Sequence, residues 1–229
     1  MSDLRWPRVG ASTGIVAAVL LALTFVFGPT DTLPGFGDSA DQVANFVRDN
    51  RDELRMLVAL QFGAAFFFAW FLGSVFFRLR AAEVGPARLS AAALGGGVLG
   101  IGGAVAGTAA TGAATYHVET LDPNVVQGLW DLSVFAYDFA LVGFAVLLWA
   151  AGALAFTRRA LPRWLGAFSF LLAIYAFVVG LISTFSETGV FSPSDGVLGF
   201  VAFGLLLLWL LVTGIVLTRE PIVPGTRIA

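Results

Sequence analysis

Asp131 and Asp138 stand seven residues apart in the run GLWDLSVFAYDFALVGF, and Trp130 and Tyr137 repeat the same interval one residue earlier. On an α-helix seven residues is nearly two turns, so the two carboxyls share a face with the two rings beside them. Such a group suits three chemistries. It could form the polar wall of a pocket for a lipid headgroup or small amphiphile. Asp138 could be the coupling acid of a small secondary transporter. The two carboxylates could also act together as acid and base on a lipid headgroup. The plainer reading makes both acids helix-end residues facing water, with Arg51 or Arg55 paired to one of them.

Other chemistries fail on residue count. His117 is the single imidazole, which removes bis-His haem and the many-His zinc and di-iron sites. Beside Tyr116 and Glu119 it reads as a solvated or capping residue, with a pH sensor as the sharper alternative. There is no cysteine, hence no thiolate ligand or thiol nucleophile. All 13 basic residues are Arg, so no lysine Schiff base can hold retinal. No G-x-S-x-G, HEXXH or nucleotide-binding fingerprint occurs. No catalytic residue, metal ligand or cofactor is assigned.

These groups must be positioned in hydrocarbon. The chain is 58% hydrophobic and 12% charged, with a mean hydropathy of +0.88, where soluble domains carry about 25% charge. Six apolar stretches lie at about 9–27, 54–77, 89–115, 125–156, 165–185 and 197–217, each long enough to span a bilayer. They leave room for no separate soluble domain. The expected fold is all-α: a polytopic membrane bundle of six transmembrane helices in one domain over 1–229. The run from Val9 to Gly28 is too long for a signal-peptide core and is taken as a retained first span. In SADQVANFVRDNRDEL, Val43, Phe46, Val47 and Leu54 recur at near-helical spacing. This predicts a short amphipathic outer helix over about 39–52, running into span two and either lying on the membrane surface or capping the bundle. Helix-start signals are read at Asp38 with Asp41, at Asp122 with Pro123, and at Ser192 with Pro193 and Asp195.

Arginine placement orients the chain. Arg5, Arg8, Arg78, Arg80, Arg88, Arg158, Arg159, Arg163 and Arg219 fall in alternate connections, which places both termini in the cytoplasm of a bacterial inner membrane. Asp138 lies 20 residues from Arg158, about 30 Å at 1.5 Å per residue, and so near the outer boundary. Gln61, Thr108 and Thr111 fall at the same level by the same ruler. The expected ligand site is therefore Asp131, Asp138, Trp130, Tyr137, Gln61 and Thr111, in a crevice that opens outward and closes before mid-depth.

Span three, LGGGVLGIGGAVAGTAATGAAT, carries the small-xxx-small pairs Gly96/Gly100 and Gly103/Gly107. Such residues let helices approach closely. They suit the bundle centre, or a homodimer seam, and the span's lack of bulk favours the centre. Expected partners are membrane lipid and, through this span, a second copy. A net charge of −2 gives no reason to expect nucleic acid.

The stretch LLWAAGALAFTRRALPRWLGAFSFLLAIYAFVVG resembles part of a family of uncharacterised six-span bacterial membrane proteins. In that family a basic loop leads into Leu-Pro-Arg-x-Leu-Gly, here Leu161, Pro162, Arg163, Leu165 and Gly166. The resemblance implies the same topology and brings no catalytic residue. The function expected from all of this is non-enzymatic binding of a lipid, small amphiphile or partner protein from the outer face. The alternatives are the transporter and the headgroup enzyme named above.

Overall fold

The computed structural model describes residues 5–29, 32–186, 189–192 and 196–219. These form seven α-helices and no strand: α1 (Arg5–Phe27), α2 (Ala40–Asp49), α3 (Arg51–Ala82), α4 (Arg88–His117), α5 (Pro123–Arg158), α6 (Arg163–Ser183) and α7 (Val197–Arg219). All but α2 are long and apolar enough to cross a membrane. The chain is an all-α, multi-pass membrane protein. Several helices run past the apolar stretches into charged turns, because a backbone in lipid keeps its hydrogen bonds internal until a cap or loop can take over.

Consecutive spans are neighbours, and α7 packs back on α1, so the six long helices form a closed ring in chain order. The α4–α5 seam is the tightest. A Cβ at Gly143 of α5 would fall on the backbone nitrogen of Gly100. One at Gly96, Gly103 or Gly107 would lie within 2.9 Å of a backbone atom of α5. All four glycines of the small-xxx-small pairs thus face α5, within the chain's own ring.

At one end, here the arginine end, the connection between α5 and α6 folds back on the ring. Arg78 Nε donates to Ala160 O at 2.8 Å. Leu161 and Leu165 are buried, and Gly166 abuts the Ala155 side chain. The Leu-Pro-Arg-x-Leu-Gly run is therefore a packing device that seats α6 on α5. Between α3 and α4, Glu83 accepts from the Leu89 and Ser90 amides and from Ser90 Oγ, at 2.6–3.0 Å. Burial opposes ionisation of Glu83, but these bonds and Arg80 together hold its carboxyl below the usual value. Inward from this end the ring is filled by Phe71, Leu72, Val75, Leu147, Leu148 and Trp209, with Trp209 Nε1 donating to Ser169 Oγ at 2.8 Å.

At the opposite end α2 caps the bundle. Val43, Ala44 and Val47 bury against Leu54, Ala114, Val118, Val126 and Trp130. The amphipathic helix does not run into span two as expected: it stops at Asn50, and α3 starts afresh at Arg51. Its cap is Ser39, paired with Gln42 in a capping box, one residue beyond the expected Asp38. Asp38 instead accepts the Gly35 amide at 2.8 Å. Asp122 does cap α5, with Pro123 in the first turn; bonds from the Asn124 side chain and amide hold its carboxyl below the usual value. The third signal is displaced. α7 opens at Val197, five residues past Ser192, while Pro193 and Asp195 lie outside the described residues.

Candidate functional site

Trp130, Ser133, Tyr137 and Asp138 occupy successive turns of α5 and turn toward the ring's interior. There they border a cavity of about 560 Å³. Its wall runs from Leu54 to Phe68 on α3, Ile101 to Thr111 on α4, Trp130 to Phe144 on α5 and Gly199 to Leu210 on α7, with Leu21, Thr24 and Phe25 of α1. From Leu54 to Phe68 is 14 residues, about 21 Å. The cavity therefore occupies the α2 half of the ring and ends near its middle, against the stacked rings of Phe68 and Phe144, whose centroids are 5.4 Å apart.

One wall is polar. Tyr137 Oη donates to Gln61 Oε1 at 2.6 Å. Thr108 Oγ1 lies 3.0 Å from that same oxygen and 3.1 Å from Tyr137 Oη. Thr111 and Ser133 turn their hydroxyl protons back to their own helices, onto Gly107 O and Trp130 O.

Asp138 differs from these. It borders the cavity and is 5% exposed, yet its Oδ2 has no hydrogen-bond partner. The nearby Ser183 hydroxyl of α6 donates to Gly180 O, 3.1 Å away. Among the described residues no basic side chain lines the cavity. The pairing with Arg51 or Arg55 does not occur. Arg55 lies over the Tyr116 ring, 5.0 Å from its centroid, and 3.9 Å from Asp52. Arg51 Nε is buried without a partner.

Five of the six residues named from sequence thus meet around one cavity: Asp138, Trp130, Tyr137, Gln61 and Thr111. Asp131 does not line it. It sits two turns nearer the α2 end, half-buried, and carries no ion pair among the described residues. The spacing put both acids on one face of α5, but α6, which packs beside Asp138, ends at Ser183, below the level of Asp131. Sequence reasoning had Thr108 at the right depth without assigning it to the site. It missed the aromatic wall of Phe25, Phe68, Phe144, Phe200 and Phe203, because lipid-facing and cavity-facing Phe look alike in an apolar run.

The crevice has exposed lining in two places. Pro29, Thr32 and Leu33 line its α2 end, where Trp130 Nε1 donates to Pro34 O at 3.2 Å and Phe36 stacks on Phe135. Thr32 there is exposed, and further exposed lining lies at the side. Phe25 of α1 and Phe200 of α7 both border the cavity, at 59% and 45% exposure. Past Ala18, none of the α1 side chains through Phe27 is buried. Each of these two helices thus presents an exposed cavity-lining ring.

Compared with protein families, curated proteins and solved structures, the chain matches none. The functional reading therefore rests on this geometry.

Proposed function

We propose that the protein is a non-enzymatic membrane protein that takes a small lipophilic molecule from the bilayer into the cavity. The observation that carries this reading is an apolar chamber with one polar wall, bordered on its lipid side by the half-exposed Phe25 and Phe200. Its volume lies within the roughly 300–1,000 Å³ of ordinary ligand sites. A headgroup could meet Gln61, Tyr137 and Asp138 while its hydrocarbon lies on the phenylalanines. The reading also takes both termini as cytoplasmic and the membrane as a bacterial inner membrane. The α2 end, and the cavity with it, would then belong to the outer leaflet.

The transporter alternative draws on Asp138, a buried acid beside a chamber. It would need a polar route onward to the arginine end, where the interior is Phe71, Leu72, Val75 and Leu147. The enzyme reading needs both carboxylates at the substrate, and Asp131 is not in the lining. A homodimer through α4 would have to use its outward Gly95 and Gly102, which face open space.

Native mass spectrometry from a mild detergent tests the binding reading. Wild-type protein should carry one small lipophilic molecule per chain, and Ala104→Phe, which projects a ring into the chamber, should lose it while staying folded. An empty wild type in several mild detergents would refute the reading. Reporter fusions test orientation: insertion in the 84–86 loop should read cytoplasmic and insertion at Gly189 external. A cytoplasmic signal from Gly189 would invert or break the assignment.

A further inference from the structure

We propose that the cavity's occupant is a lipophilic organic cation, with its charged centre at Asp138 and its hydrocarbon against the aromatic wall. The inference rests on the binding reading above and narrows it to one charge class.

Charge complementarity comes first. Among the described residues the lining holds one carboxyl and no Arg, Lys or His. An anionic headgroup would enter without a counter-charge and would face Asp138. The Arg55 guanidinium is engaged by Tyr116 and Asp52 and lies outside the lining.

The second observation is the unmet valence of Asp138. Asp138 is 5% exposed and its Oδ2 receives no donor; the Ser183 hydroxyl beside the carboxyl is shared with Gly180 O. A buried carboxylate oxygen without a partner is costly in a low-dielectric interior, and a cation in the adjoining chamber removes that cost.

The third is the wall. Tyr137 and Phe203 meet edge to face with centroids 6.2 Å apart, and Trp130, Phe68 and Phe144 complete an aromatic surround. Ring faces attract cations, most strongly where water is excluded. A cation with a large apolar periphery also partitions into lipid and can arrive sideways, between Phe25 and Phe200. A neutral amphiphile would satisfy the Gln61 and Tyr137 groups but would leave the carboxyl without a counter-charge.

Tetraphenylphosphonium and tetraphenylborate have nearly the same shape and opposite charge, and triphenylphosphine oxide is a neutral analogue. Equilibrium dialysis would compare all three on the full chain in phosphatidylcholine nanodiscs, against empty discs. Saturable binding of one phosphonium per chain is expected, weakened about 30-fold or more by Asp138→Asn and unchanged by Asp131→Asn. On wild-type protein, phosphonium but not borate should protect Asp138 from dicyclohexylcarbodiimide, read by peptide mass spectrometry. This second measurement needs no variant to fold. Wild-type-like phosphonium binding by Asp138→Asn would overturn the inference, as would equal binding and protection by borate. If the neutral oxide binds saturably and Ala104→Phe abolishes it while Asp138→Asn does not, the cavity reading survives and the charge class falls. If none of the three binds saturably, both fall.

Discussion

Along the α4–α5 seam helix backbones touch. Around the α2-end halves of α1 and α7, side chains stand back from a space of about 560 Å³. Residue size makes the difference. Gly96, Gly100, Gly103, Gly107 and Gly143 let two helices close to backbone contact, whereas α1 past Ala18 buries no side chain as far as Phe27. Polar groups divide the same way. At the seam, Thr115 returns its proton to a helix carbonyl. At the chamber, Asp138 Oδ2 is left over.

The seam is the place to break this contrast hardest. Gly143→Leu forces a side chain into the backbone of α4 and should cost about 3 kcal/mol or more, read as a collapse of the unfolding midpoint in mixed micelles. A mild effect would mean that the backbones are not in contact.

That seam was legible in the sequence and the chamber was not. Glycines at four-residue spacing announce close approach whatever the partner helix is. A void depends on which side chains meet across a ring, and no local pattern encodes that. Depth, by contrast, follows from helical rise, which is why Gln61, Thr108 and Asp138 could be placed at one level. Asp131 shares a face with Asp138, but a face does not say where its neighbouring helix ends. The cap of α2 shifted from Asp38 to Ser39 because Ser39 can reciprocate with Gln42, and a cap read from a single residue overlooks its partner three residues on.

A pair of truncations sharpens the comparison. Trp209→Ala, in the filled half, should cost about 3–5 kcal/mol, since it opens a cavity and removes the indole donor to Ser169. Phe203→Ala removes a ring that already borders a chamber and should cost less than Trp209→Ala. Equal losses would erase the distinction between the halves.

The smallest effect lies at the α3–α4 turn. The Glu83 carboxyl is held below its usual value when folded, so its contribution is present above the unfolded value of 4.5 and fades as pH falls through the lower, folded one. Hydrogen exchange at the Leu89 and Ser90 amides should accelerate across that acid window beyond its intrinsic pH dependence, and Glu83→Gln should remove the excess. No difference between the two proteins would detach Glu83 from the anchoring of α4.

α5 has 36 residues, about 54 Å of helix, against a hydrocarbon thickness of about 30 Å. α3 and α4, at 32 and 30 residues, overrun it too. The overhang at the α2 end carries Val43, Val47, Val118 and Val126 into water, beyond the reach of lipid. That cluster is held by the aqueous hydrophobic effect, while the spans below are held by packing in a solvent as apolar as themselves. One chain thus answers to two solvents. Urea or cold should loosen α2 before it disturbs the helices it covers, and unroof the chamber while the ring still stands.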